Sequence, residues 1–178
     1  MKTKNFLLTG ALLIVALFSV NSVMAEGPAK SGQTTVTINL KPMQAITVNQ
    51  SNVLLEYATI NDYSNGVDTT MTNHLTVYSV GGFIVNVKSD GHFTNGNNFI
   101  PAEDVIITAI PAEGSPGTFS PVELSTTAAA LITSTTTGGF NKSYDVNYSN
   151  KLAGEAFAYA GKEGGTYTAV VTYNIYPN

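Results

Sequence analysis

Apolar and polar residues alternate with a period of two over most of the chain after residue 33. In TVTINL (35–40), Val36, Ile38 and Leu40 share one face, and threonine or asparagine occupies the other. This period is typical of a strand with one buried face. Alternation or a short apolar run predicts further strands at 46–48, 53–60, 74–79, 83–89, 105–110, 119–126, 130–135, 140–149 and 167–176.

Turn-forming residues separate these segments. They are densest at 61–66 (NDYSNG), 89–98 (SDGHFTNGNN) and 113–117 (EGSPG). Pro121 limits the 119–126 segment to an edge strand, because proline cannot donate to a ladder. Residues 151–161 fit either a short helical turn or a strand. About eight or nine short strands with frequent turn signals predict an all-β fold, a single immunoglobulin-like or Greek-key β-sandwich.

The first 25 residues have a different pattern from the rest. Lys2 and Lys4 precede an apolar run, Phe6–Val20, of 15 residues, and Val23-Met24-Ala25 supplies small residues for cleavage. The run is shorter than the roughly 20 residues that span a bilayer as a helix. We expect a signal peptide at 1–25, a flexible leader at 26–33 and one β-sandwich domain at 34–178. A retained N-terminal anchor is the alternative.

Charge and cysteine content narrow the function classes. After the predicted cleavage, six lysines against twelve acidic residues give a net charge of −6, and the chain has no arginine. A nucleic-acid binder needs a basic face, so nucleic acid is not expected as a partner. The lack of cysteine excludes disulfides, thiolate metal sites and a lipid anchor at the cleavage site.

The candidate catalytic residues form no recognisable motif. His74 begins a predicted strand and His92 lies in a Gly/Asn-rich turn, and no nucleophile motif surrounds a serine. Carboxylates suited to glycoside hydrolysis occur on or near loops, at Glu103, Asp104, Glu113 and Glu123. Solvated acidic residues on a polar surface explain them better, so we expect no enzymatic activity and no cofactor.

Two binding alternatives remain open at this level. DYSNGVD (62–68) offers oxygen ligands for calcium, but its Asn-Gly pair comes one position too early for an EF-hand loop. Aromatic side chains for a glycan platform are available at Tyr57, Tyr63, Tyr78 and Tyr144, although the chain has no tryptophan. A secreted binding module for a glycan or a protein ligand is therefore the alternative function.

Three stretches carry a family resemblance. LTVYSVGGFIVNVKSDGHFTNGNNFIPAEDVIITA (75–109), GGTYTAVVTYNIY (164–176) and TVTINL (35–40) resemble the major subunits of colonisation-factor-type (alpha-class) fimbriae, in the chaperone–usher pilin group. The penultimate residue of this chain is Pro177, where such pilins have tyrosine. A weaker resemblance is to the WxL cell-surface domain, with Tyr173 in the place of its tryptophan.

The fimbrial resemblance implies a surface subunit that assembles by strand exchange and contributes to adhesion. It implies export through the periplasm to the cell surface, a periplasmic chaperone, and other copies or related subunits as partners. The donor strand would lie at 34–41, with Val36, Ile38 and Leu40 entering the neighbour's open sheet. A strand that folds back into its own sheet is the alternative. The family's final strand corresponds to Gly164, Tyr167, Val171, Tyr173 and Ile175.

Overall fold

A computed structural model describes residues 30–150 and 157–178 of the chain. The predicted signal peptide (1–25), the first part of the leader and residues 151–156 lie outside the described residues. The described residues contain eleven strands, one short α-helix and a 3₁₀ turn at Ala102–Asp104. The strands and the helix are β1 (Gln44–Val48), α1 (Ile60–Asn65), β2 (Asp68–Ser79), β3 (Phe83–Ser89), β4 (Phe93–Asn95), β5 (Asn98–Ile100), β6 (Ile106–Pro111), β7 (Thr118–Phe119), β8 (Val122–Glu123), β9 (Ala129–Ser134), β10 (Gly139–Ser149) and β11 (Val171–Pro177).

The strands form two main sheets and a hairpin. The five-stranded sheet has the order β1-β2-β10-β6-β8, and the four-stranded sheet has the order β11-β3-β9-β7. Strands β4 and β5 pair as a separate hairpin, and all the pairs are antiparallel. The prediction of an all-β sandwich is confirmed.

The buried residues of the core strands follow the period-two alternation of the sequence. Phe83, Val85 and Val87 on β3 are buried, and their intervening neighbours are more exposed. Strand β10 alternates in the same way, with its buried face opposite that of β3. Because the inner faces of a sandwich interdigitate, these apolar sets form one core. The buried residues of β2, β6, β9 and β10 include Leu75, Val77, Ile107, Leu131, Ile132, Tyr144 and Val146.

The prediction of a strand at 53–60 was wrong. Residues 52–58 have no strand pairing, and α1 begins at Ile60 in what the sequence indicated as a turn. A capping box starts this helix: the Thr59 side chain accepts a hydrogen bond from the Asp62 N–H, and the Asp62 carboxylate accepts one from the Thr59 N–H at 2.7 Å. These two bonds satisfy amide groups that a helix start otherwise leaves unpaired.

Segment 119–126 is two strands instead of one. Strand β7 belongs to the four-stranded sheet and β8 to the five-stranded sheet, and the chain changes sheets at Ser120-Pro121. Each strand lies at the edge of its sheet, which agrees with the constraint that Pro121 imposes.

The predicted turn region 89–98 contains strands as well as turns. Strands β4 and β5 form a hairpin whose two-residue loop begins at Gly96, and the turn signals alone did not reveal these strands.

Two further boundaries differ from the sequence-based prediction. The last strand begins at Val171 instead of residue 167, because Thr168 makes only an isolated bridge to Thr94. Residues 30–43 contain no strand, although TVTINL alternates as a strand does.

A close backbone approach at Gly138 gives a testable prediction. A Cβ on this residue would lie 2.1 Å from the Ser79 carbonyl oxygen and 2.5 Å from that of Gly81. We expect Gly138→Ala to lower the free energy of unfolding by about 1–3 kcal/mol, because the backbone must move to relieve the overlap. Gly91→Ala is the control, since nothing lies within 4 Å of its added carbon. Urea denaturation measures both, and equal midpoints would contradict the close approach.

Candidate assembly site at the open edge of the sandwich

Two edge strands lie side by side on one side of the sandwich. Strand β1 pairs only with β2, and β11 pairs only with β3, so each leaves one edge free within the described part of the chain. The two strands contact each other although they belong to different sheets. An edge strand presents unpaired N–H and C=O groups to any strand that approaches it. The free edges of β1 and β11 therefore form a potential site for an additional strand.

Apolar side chains line this pair of strands. Ile46, Val171 and Ile175 are half-buried and pack against the core. Val48, the last residue of β1, and Val170, which directly precedes β11, are exposed. We call the set Ile46, Val48, Val171, Tyr173 and Ile175 the open edge. Its incomplete burial leaves apolar surface that another apolar segment would cover.

The predicted residues of the C-terminal strand divide into two groups. Val171, Tyr173 and Ile175 lie on β11, and register pairs the last two with Val87 and Val85 of β3. Gly164 and Tyr167 precede the strand. The Tyr167 hydroxyl donates to the Glu163 carbonyl oxygen at 2.8 Å, which is a local contact in the loop.

The predicted donor residues are all exposed. Val36, Ile38 and Leu40 have 80%, 82% and 75% of their surface accessible. Leaving these aliphatic side chains in water is unfavourable, because burying each one in a core would contribute about 1.5–3 kcal/mol to stability. The donor role of these residues remains a prediction.

A buried chain of hydrogen bonds anchors β11 to the opposite sheet. The hydroxyl oxygens of Tyr148 on β10 and Tyr173 on β11 are 2.6 Å apart. Tyr148 also lies 2.8 Å from Nε2 of His74 on β2, and His74 Nδ1 lies 2.7 Å from Gln50 Oε1. The bond between the two tyrosines crosses from the five-stranded sheet to the four-stranded sheet, directly behind the open edge.

A bulge in β2 turns His74 inward. Strand register pairs Tyr144 with Leu75 and Val146 with Met71, so three residues of β2 lie opposite one residue of β10. Asn73 in this bulge has a φ of 51°, a left-handed conformation that asparagine tolerates better than most residues. The Asp145 carboxylate accepts a hydrogen bond from the Asn73 N–H at 2.6 Å and holds the bulge in place. Bulges commonly redirect a side chain in this way.

Hydrogen bonds and burial together favour the neutral state of His74. The Gln50 amide nitrogen donates to the Thr72 carbonyl oxygen at 3.0 Å, which directs Gln50 Oε1 toward the imidazole as an acceptor. His74 therefore donates from Nδ1, and in the neutral ring its Nε2 accepts the Tyr148 hydroxyl proton. Burial lowers the pKa of His74 from its usual value. Burial likewise raises the pKa of the Tyr148 hydroxyl.

The four candidate glycan-binding tyrosines do not form one platform. Tyr57 packs against Tyr63 and against Tyr159, with ring centroids 5.1 and 5.5 Å apart. Its hydroxyl bonds to Asn150, and burial raises the pKa of Tyr57 to about 12. Tyr144 is buried in the core. Tyr78 pairs elsewhere, with exposed Phe140, whose ring centroid is 4.9 Å away.

In the candidate calcium loop (62–68), the carboxylates make other interactions. Asp62 caps α1, and its hydrogen bonds to Thr59 hold the pKa of this carboxyl below its usual value. Asp68 accepts a hydrogen bond from the Asn147 side chain at 3.2 Å. Glu56, Asp62 and Asp68 line an open depression. Within residues 30–150 and 157–178, no group of three or more histidine, aspartate or glutamate side chains is placed to hold a metal ion.

The candidate catalytic carboxylates and the second histidine lie in separate environments. His92 stacks on Phe99 and lies 3.7 Å from the Glu103 carboxylate. Asp104 instead accepts a hydrogen bond from the Tyr159 hydroxyl at 2.7 Å. The remaining two are exposed, on a loop and on β8 respectively: Glu113 and Glu123.

The neutral state of His74 generates a prediction of pH dependence. Its pKa in the folded protein is below that in the unfolded chain, so the unfolded state takes up the proton first as the pH falls. Stability from this residue is complete above about pH 6.5 and decreases as the pH falls through the folded pKa. We expect urea midpoints between pH 7.5 and 5.5 to fall in the native sequence.

The matched variants for this measurement are His74→Gln and His92→Gln. His74→Gln lowers stability at neutral pH but reduces the change between the two pH values, because the buried titrating group is gone. His92→Gln, which removes an exposed histidine, is the control measured in the same way. An unchanged slope in His74→Gln would show that other groups cause the acid sensitivity.

Comparisons with known proteins identify no family for this chain. A scan against models of protein families found no match, and a search of curated proteins found no relative. Within the described residues, none of the helices has the length and apolar character that crossing a membrane requires. The functional proposal therefore depends on the open edge and on the sequence of residues 34–41.

Proposed function

We propose that this protein is a non-enzymatic subunit of a cell-surface fibre that assembles with copies of itself by strand donation. In this proposal, residues 34–41 of one copy add to the open edge of the next copy. The observation that carries the proposal is the exposure of Val36, Ile38 and Leu40 in a chain that also has two adjacent free edge strands. Adhesion, export through the periplasm and a chaperone partner follow from the fimbrial resemblance.

The chemistry of the segment matches that of the open edge. In both, every second residue is apolar, and β1 and β11 carry no charged side chain. Strand addition gains main-chain hydrogen bonds along the edge and buries alternate side chains against the core. Because Lys41 is the one charged residue in the segment, hydrophobic burial supplies most of the affinity.

An antiparallel arrangement defines a specific register. Every strand pair in the two sheets is antiparallel, and β11 faces the core with Val171, Tyr173 and Ile175. The register that uses all three inward positions pairs Leu40 with Val171, Ile38 with Tyr173 and Val36 with Ile175. The intervening Thr37 then lies opposite Asn174 on the outer face.

The alternative function, a binding module for a glycan or a protein ligand, has less support. Glycan platforms require exposed aromatic faces, and Tyr57 and Tyr144 are engaged in internal packing. The half-buried Tyr78 and the exposed Phe140 are the remaining candidates for such a platform among these residues. Carbohydrate-array binding that disappears in Phe140→Ala would support this alternative.

The central prediction concerns Ile38. We expect Ile38→Asp to abolish heat-resistant multimers of the mature chain, because a carboxylate cannot be buried unpaired against the core. Thr37→Asp is the matched control: its side chain points away from the core in the donated strand, so multimers persist. Unboiled gel electrophoresis and light scattering measure both variants. Equal behaviour of the two variants, or a native chain that stays monomeric at high concentration, would overturn strand donation.

The register can be tested by cross-linking, since the chain has no cysteine of its own. Thr37→Cys combined with Asn174→Cys is expected to give a ladder of disulfide-linked multimers on a non-reducing gel, because directly opposed Cβ atoms lie within disulfide range. Thr37→Cys with Thr70→Cys, on the outer face of β2, is the control and should give no ladder. A ladder in the control alone would exclude this register.

A further inference from the structure

An apolar patch lies on the outer face of the five-stranded sheet, at one end. The Val80 N–H donates to the Met43 carbonyl oxygen at 2.9 Å, which continues the β1–β2 register past the Gln44–Ser79 pair. Alternation places these two residues on the same face as Tyr78, against which Phe140 packs. Met43, Val80 and Phe140 are 64%, 41% and 82% exposed. We call Met43, Tyr78, Val80 and Phe140 the junction patch.

Away from this end, the outer face of β1, β2 and β10 is mostly polar, and Ile110 on β6 is an exposed apolar exception. Hydrogen bonds connect its side chains across the strands: Asn49 to Thr76 at 2.9 Å, Ser143 to Asn73 at 2.7 Å and Asn147 to Thr70 at 2.9 Å. A water-exposed sheet face is normally polar throughout. The exposed apolar side chains next to β1, β2 and β10 therefore cluster at one end of the face, whereas Ile110 is isolated from them. Clustered exposed apolar residues mark interaction sites.

The junction patch lies where the N-terminal segment joins the sheet. Lys41, Pro42 and Met43 separate Leu40 from the start of β1, and four extended residue steps span at most about 14 Å. A neighbouring copy that holds Leu40 at its open edge must therefore lie within this distance of Gln44. The short connection brings that neighbour beside the junction patch.

We propose that the junction patch is the contact surface for the copy that accepts the donated strand; this inference rests on the proposed function. In the antiparallel register, Leu40 lies opposite Val171 of the accepting copy. Val170, 63% exposed, precedes that position, so it lies at the receiving end. One end of each copy thus contacts the other end of the next. Such a heterologous contact propagates into an open fibre.

The patch favours a protein surface over a sugar. Val80 and Met43 offer no polar side-chain group, and the Tyr78 hydroxyl is directed toward the Asn141 side chain at 3.4 Å. Sugar recognition combines an aromatic face with several placed hydrogen-bonding groups. Aliphatic and aromatic side chains at the centre of a contact are typical of protein interfaces.

The test separates docking from strand insertion by two measurements on the full mature chain. Sedimentation velocity after dilution gives the dissociation rate of multimers, and fluorescence anisotropy gives the affinity of a labelled peptide of residues 34–41. We expect Phe140→Ser and Val80→Ser to speed dissociation ten-fold or more, since interface mutations act mainly on this rate. Peptide affinity should stay within two-fold of native. Ile110→Ser is the control, with 42% exposure on the same sheet outside the patch.

Each outcome decides a different claim. Native dissociation rates in Phe140→Ser and Val80→Ser, with normal peptide binding, would overturn the junction patch and leave strand donation intact. Failure of the peptide to bind the native chain, together with a lack of multimers, would overturn both proposals. Unchanged dissociation together with glycan binding that Phe140→Ser removes would assign the patch to a carbohydrate instead.

Discussion

The hydrogen bond between Tyr148 and Tyr173 is the interaction on which the open edge depends. It joins the two sheets at the side where no further strand covers them in the described residues, and it fixes β11 from behind while its outer edge stays free. Both hydroxyls are buried, so losing Tyr148 would remove the partner of both the Tyr173 hydroxyl and His74 Nε2, at a substantial free-energy cost. His74 and Gln50 extend this chain and make the position of β11 dependent on a bulge in β2.

Local sequence was sufficient for most strands and for the faces they bury. The alternation in β3 and β10 predicted their buried sides because each follows from neighbouring residues alone. The helix at Ile60–Asn65 had a local signal too, the capping-box spacing of Thr59 and Asp62, but six residues are too few to show a helical period. Strands β4, β7 and β8 span two or three residues, which is below what a periodic pattern can reveal.

The parts that local sequence could not predict depend on distant residues. His74 begins a predicted strand, and nothing near it indicates that it is buried. Its orientation requires the left-handed Asn73, which Asp145 stabilises across 72 residues of sequence. The open edge is likewise a property of topology, because it exists only where the first and last strands of the described residues lie together. Alternation at Val171, Tyr173 and Ile175 predicted a strand but not its place at an edge.

The edge strands on the two sides of the sandwich differ in length. On the side of β7 and β8, each edge strand has two residues and therefore offers little for another chain to pair with. On the open side, β1 has five residues and β11 seven, and neither contains lysine or glutamate. Short or charged edges are the usual protection against unwanted pairing. Protection on one side and its lack on the other are expected of a protein in which one edge is used for assembly. In the proposed assembly, the exposed aliphatic residues of 34–41 would supply the matching strand.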